Sequence, residues 1–163
     1  MHLILKNKKI IFGKYKLKCA IGKRGISKNK SEGDKKTPKG TFKLLYILYR
    51  PDRIRKLQTK LKKVKIKKNY GWCDDVKSKK YNKLIKFPFN YSAERLFLKS
   101  KIYDIIIVLN YNIRPIKTGL GSAIFLHLSN KYFSPTNGCV AISKKDMLRL
   151  VKHLKSSSKI SIF

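Results

Sequence analysis

A chain of 163 residues, 42% hydrophobic and with nine Tyr and eight Phe, has the size and apolar content for one domain around one core. Its 41 basic and eight acidic residues give a formal charge of +33, carried by 34 lysines and only seven arginines. That ratio argues against a dedicated reader of phosphates or base edges, where the planar guanidinium is favoured, so no nucleic acid partner is expected.

The start, MHLILKNKKIIFGKYKLK, has three apolar residues after His2 and then charges. Neither a signal peptide nor a membrane span is expected there. Tyr15, Leu17, Cys19 and Ile21 alternate with Lys16, Lys18 and Ala20, the period of a half-buried strand, with Leu3 to Leu5 and Ile10 to Phe12 as hairpin partners. Gly22 to Gly40 reads as a long loop closed by Thr37, Pro38 and Gly40, and Thr41 to Tyr49 as an aromatic strand. Arg50 to Lys68 suits either a helix after Pro51 or a strand.

Asn69 to Pro88, carrying Trp72 and Asn82, reads as a second long loop, and Ser92 to Leu98 as one or two helical turns capped by Ser92. Ile105 to Leu109 and Ile124 to Leu128 are apolar runs suited to buried central strands, and Val140 to Ile142 is a third, shorter one. Ser143-Lys-Lys-Asp146 then opens a helix as a capping-box-like start, with Met147, Leu148, Val151 and Leu154 recurring on one face. The fold class is mainly β with few helices, as one domain over residues 1–163.

The lysines are spread among Ile, Asn and Tyr. They fit a compositional drift, or a field that draws an anionic partner. Acids are rarer, and five of the eight (Glu32, Asp34, Asp74, Asp75 and Glu94) fall in three short loop-like segments. Local pairing with lysine explains them, as does a role in shaping one polar pocket. Cys19, Cys73 and Cys139 cannot all pair and fit no zinc spacing, so no metal site is expected. Cys19 reads as a core strand residue, and Cys73, beside Asp74 and Asp75, is badly placed for a thiolate.

A thiol with a reference pKa of about 8.5 needs a base or cation nearby to act as a nucleophile. Of the three histidines, His2 is terminal and His153 ends an amphipathic helix, whereas His127 ends an apolar strand twelve positions before Cys139. Adjacent strands joined by that loop would bring the two side chains into contact range. A core histidine and a core cysteine fit the same spacing. In SPTNGCVAIS, Pro135 and Gly138 suggest a constrained turn whose main-chain N–H groups at Gly138 and Cys139 face a common point, with Asn137 beside them as a further backbone candidate and Gly138 leaving room for a substrate carbonyl, an oxyanion hole in outline.

The segment IFLHLSNKYFSPTNGCVAIS, Ile124 to Ser143, resembles the catalytic motif of the YkuD-type L,D-transpeptidases, and SEGDKKTPKGTF is similar to that family's upstream turn. CAIGKRGI, YGWCDD, YNKL, SAERLF and GSAIFLH resemble a compact branch of the family, extending the likeness over most of Lys14 to Val151. Asn137 and Ala141 depart from the better-known branch, which has His before Gly-Cys and a polar residue two positions after the cysteine.

The resemblance implies a β-sandwich or barrel catalytic domain with a C-terminal-side helix, Cys139 as nucleophile, His127 as base and peptidoglycan stem peptides as substrate. It also implies a periplasmic or cell-envelope location and a reaction that uses no cofactor. Thr136 and Ser129 are candidates to line the pocket, Tyr111, Asn112 and Arg114 to hold a substrate carboxylate, and Trp72 to stack on the substrate.

Overall fold

A computed structural model describes residues 1–163. Strands β1 (His2–Lys6), β2 (Lys9–Phe12) and β3 (Tyr15–Ala20) form an antiparallel meander. Asn7 and Lys8 both take positive φ (51° and 54°), the two-residue turn whose twist matches the strands it joins. The expected alternation holds, with Leu3, Leu5, Ile10, Leu17 and Cys19 inside.

The segment after β3 is less open than a plain loop, because β4 (Ile26–Ser27) and β5 (Thr37–Pro38) pair in parallel within it. β6 (Gly40–Tyr49) is ten residues long and pairs with three other strands along its length. Residues 50–68 form no helix and contribute only β7 (Lys63–Lys65), which pairs with the end of β6.

Two expectations fail in the next stretch. The supposed loop at 69–88 contains β8 (Tyr70–Cys73) and β9 (Leu84–Lys86), and the supposed helical turns at 92–98 contain β10 (Ala93–Arg95), which pairs with β8 at one edge of a three-stranded sheet ordered β10-β8-β9. Strands of three or four residues carry too little periodicity to announce themselves. The helix propensity of Ala-Glu-Arg-Leu is overridden by the pairing of Glu94 and Arg95 with Trp72 and Gly71.

A 3-10 turn at Lys101–Tyr103 leads into β11 (Ile105–Leu109), followed by β12 (Phe125–Leu128), β13 (Val140–Ile142), helix α1 (Lys144–Val151) and β14 (Lys159–Ile162). Ser143 caps α1 as expected, its Oγ accepting from the Asp146 N–H at 3.1 Å while donating to the Asp146 carboxylate. Met147, Leu150 and Val151 are the buried residues of α1, and the half-buried Leu148 packs against the same core, so Leu150 joins the expected inward stripe. β14 was not anticipated, since KSSSKISIF offers only four strand residues after a serine run.

Eight strands close into a barrel-like ring in the order β11-β12-β13-β3-β2-β1-β14-β6, and β6 pairs back to β11. β14 makes the closure possible by running parallel to β1 and antiparallel to Gly40–Lys43 of β6.

β11, β12 and β13 are buried on both faces, which is why they read as unbroken apolar runs. Ile105, Ile107, Leu126, Leu128, Val140 and Ile142 face the main core with α1. Ile106, Val108, Phe125 and Cys139 face a smaller second core with Trp72, Leu96 and Tyr103. That second face carries the site. No helix of the structure is long and apolar enough to cross a membrane.

Candidate active site

β12 and β13 run in parallel, with His127 opposite Ala141. Side chains two apart along an extended chain share a face, so Cys139, just before β13, stands on the same second face as His127. Both residues line one cleft of about 610 Å³. No direct hydrogen bond joins them.

The Cys139 sulfur donates to the Ala123 carbonyl (3.0 Å) and accepts from the Phe125 N–H (3.4 Å). Burial pushes its thiol up to about 12, with the charge of Glu94 acting in the same direction; the Phe125 N–H and Lys30 oppose both. His127 Nδ1 lies 2.9 Å from the Leu128 carbonyl, so in the neutral ring Nδ1 carries the proton and Nε2 the basic lone pair. Burial pulls its pKa down to about 4, only partly offset by the carbonyls of Leu128 and Ile102. Burial acts on both groups against charge, holding the proton on sulfur and keeping it off the imidazole. The pair therefore rests as thiol and neutral imidazole.

Tyr103 supports the imidazole. Its ring stands edge-on to His127, with centroids 5.2 Å apart at 87°, and its hydroxyl donates to Glu94 Oε1 at 2.6 Å. Burial raises the pKa values of both Glu94 and Tyr103.

The turn before Cys139 is fixed from two sides. The Thr136 N–H donates to the Ile21 carbonyl (2.9 Å), the Lys23 N–H donates to the Thr136 carbonyl (2.9 Å), and the Gly22 N–H donates to Thr37 Oγ1 (2.8 Å). The end of β3 thereby ties the TPKG turn to the SPTNGC turn. Gly138 has φ +136°, and a Cβ on it would meet the Lys36 carbonyl oxygen at 2.9 Å. The glycine is thus required by the neighbouring loop rather than by room for a substrate carbonyl. Its N–H donates to Thr136 Oγ1 at 3.2 Å, while the Cys139 N–H has no protein acceptor.

Thr136, Asn137 and Ser129 line the cleft as expected. Thr136 donates to the Cys139 carbonyl, so it braces the turn and does not orient His127. The remaining candidates lie elsewhere. Trp72 is 3% exposed, packs edge-on against Phe125 and donates its indole N–H to Asn82 Oδ1 at 2.9 Å, so no substrate can stack on it. Asn112 is occupied in holding its own loop, through Lys117 and the Gly121 carbonyl. Tyr111 donates to the Leu120 carbonyl, and neither Tyr111 nor the exposed Arg114 lines the cleft.

Glu32, Asp74 and Glu94, three of the five acids read as shaping one polar pocket, line the cleft, Asp34 and Asp75 do not, and Lys30, Tyr103 and Ser122 join them without any signal in the sequence. The scarcity of acids was the available signal for the three carboxylates. No group of three or more His, Cys, Asp or Glu side chains converges to hold a metal ion.

The family model for the YkuD L,D-transpeptidase catalytic domain matches residues 1–162. The chain belongs to that family, and its closed, mainly β architecture with a single helix agrees with the assignment. No curated protein matches the chain.

Proposed function

We propose that this protein is a peptidoglycan L,D-transpeptidase of the cell envelope, with Cys139 as nucleophile and His127 as general base. The observation that carries the reading is the presence of that thiol and that imidazole on neighbouring parallel strands, facing one cleft, in a chain of this family.

In the reaction, Cys139 Sγ attacks a peptide carbonyl of the donor stem while His127 Nε2 takes the thiol proton. Because the resting pair is neutral, proton transfer accompanies attack instead of preceding it. The Cys139 N–H meets the developing oxyanion, joined by the Gly138 N–H if Thr136 Oγ1 releases it. The C–N bond breaks, the leaving amine takes the proton from His127, and a thioester remains. An amine of a second stem, deprotonated by His127, attacks that thioester, which restores the thiol and forms the crosslink without ATP. Water in place of the amine would make the same site an L,D-carboxypeptidase.

Incubation with purified muropeptides, followed by intact-mass measurement, tests this. A thioester adduct on the wild type that is absent from Cys139→Ala supports the reading; no adduct on a folded wild-type protein would overturn it. Dimeric products identify the transferase and shortened monomers the hydrolase.

A further inference from the structure

In a chain with 41 basic residues and eight acids, an acid without a basic partner is unusual. Asp34, Asp52, Asp104 and Asp146 pair with Lys30, Arg50, Arg53 and Arg149. Asp75 accepts from the N–H groups of Lys77 and Ser92. The remaining three, Glu32, Asp74 and Glu94, have no Lys or Arg partner, and all three line the cleft. Only two side chains of Lys or Arg line it with them, Lys30, already committed to Asp34, and the exposed Lys35, while His127 rests neutral. Around Cys139 the acids outnumber the bases, the reverse of the chain as a whole.

Glu94 sits opposite Trp72 across the β10–β8 pair, and Asp74 follows Trp72 by two residues, so both carboxylates belong to the face that Trp72 packs against Phe125. Across the whole molecule two buried side-chain polar atoms lack a hydrogen-bond partner, Asp74 Oδ1 and Ser122 Oγ, and both residues line this cleft. Ser122 is only 8% exposed. Its hydroxyl faces the Tyr81 phenol, whose O–H donates to Glu32, so the one group Ser122 can offer Tyr81 is its own proton and its acceptor lone pairs stay open. Buried acceptors left open beside unpaired carboxylates suit a donor-rich cation arriving from outside.

We propose that Asp74, Glu94 and Ser122 form the subsite for an ammonium group on the peptide bound in the cleft. The subsite rests on the reading of the cleft as a peptide-binding acyl-transfer site. It also has a consequence for the chemistry: negative charge beside Cys139 opposes thiolate formation, so a bound ammonium offsets that field and the peptide favours ionisation of the sulfur that attacks it.

Paired charged thiol reagents test the subsite without needing the natural substrate. The trimethylammonium-ethyl and sulfonatoethyl methanethiosulfonates each react with a thiolate to give a mixed disulfide and release methanesulfinate. Rates are read at Cys139 by peptide mass mapping, because Cys19 and Cys73 are also free thiols. The overall charge of +33 alone would favour the anionic reagent.

With each rate divided by that reagent's rate toward free 2-mercaptoethanol, because the cationic reagent is intrinsically the faster, the subsite predicts a preference for the cationic reagent of roughly fivefold or more, reversed in the Asp74→Asn, Glu94→Gln double variant. Should the double variant not fold, Asp74→Asn alone leaves the Tyr103–Glu94 bond intact and must reduce the preference. Faster anionic modification of the wild type, or a cationic preference that survives both substitutions, overturns the subsite. Failure of both reagents to modify Cys139 overturns both the subsite and the nucleophile. A cationic preference without any thioester from muropeptides retains the subsite and rejects the stem-peptide reaction.

Discussion

Tyr103 stands edge-on to His127 and donates a hydrogen bond to Glu94, so one phenol links the candidate base to a largely buried carboxylate. Tyr103→Phe keeps the ring against the imidazole and removes only the donor. The buried Glu94 then loses its partner, and stability should fall by about 1–3 kcal/mol in urea unfolding. Tyr103→Ala also removes the ring that holds the imidazole, and should lower the rate of thioester formation well beyond Tyr103→Phe.

His127 imposes a pH dependence with a defined sign. Its pKa is about 4 when folded, against an ordinary value of 6.5, so between those values the unfolded chain binds a proton that the native protein refuses. The contribution to stability is complete above pH 6.5 and is lost as pH falls towards 4, a total of about 3 kcal/mol. Urea midpoints of wild type and His127→Gln across this range should differ in slope by that amount, with the variant flatter.

Gly138→Ala should damage both the fold and the site. The substitution forces a Cβ against the Lys36 carbonyl at 2.9 Å and strains a backbone at φ +136°. A loss of about 1–3 kcal/mol is expected in thermal or urea unfolding, with slower acylation of Cys139 because the turn that carries it must shift.

Asn82 should prove as costly to lose as a core residue. Its Oδ1 accepts from Trp72 Nε1 (2.9 Å) and from the Ala123 N–H (3.1 Å), and its Nδ2 donates to the Asn112 carbonyl (2.6 Å). Asn82→Ala leaves two buried donors unpaired beside the residue whose carbonyl receives the Cys139 thiol, and should cost about 2 kcal/mol or more by urea unfolding.

Lys30→Met removes a charge that favours the Cys139 thiolate. The pH profile of iodoacetamide alkylation at Cys139 should move upward, with slower reaction at any fixed pH below the plateau.

The sequence by itself determined whatever rests on neighbours along the chain. The β1–β3 meander, the buried runs of β11, β12 and β13, the Ser143 cap of α1 and the candidacy of His127 and Cys139 all follow from alternation, capping chemistry and one motif. The scarcity of acids also drew attention to the segments around residues 32, 74 and 94.

Tertiary structure alone decided what depends on partners distant in sequence. β8, β9, β10 and β14 are three or four residues long and exist because other strands complete their hydrogen bonds. Burial withdrew Trp72 from any substrate, and the Lys36 carbonyl gave Gly138 its reason. Three unpaired acids gathered beside one thiol because folding brings residues 32, 74, 94 and 139 into one cleft, where desolvation and mutual charge set properties that no local stretch of chain possesses.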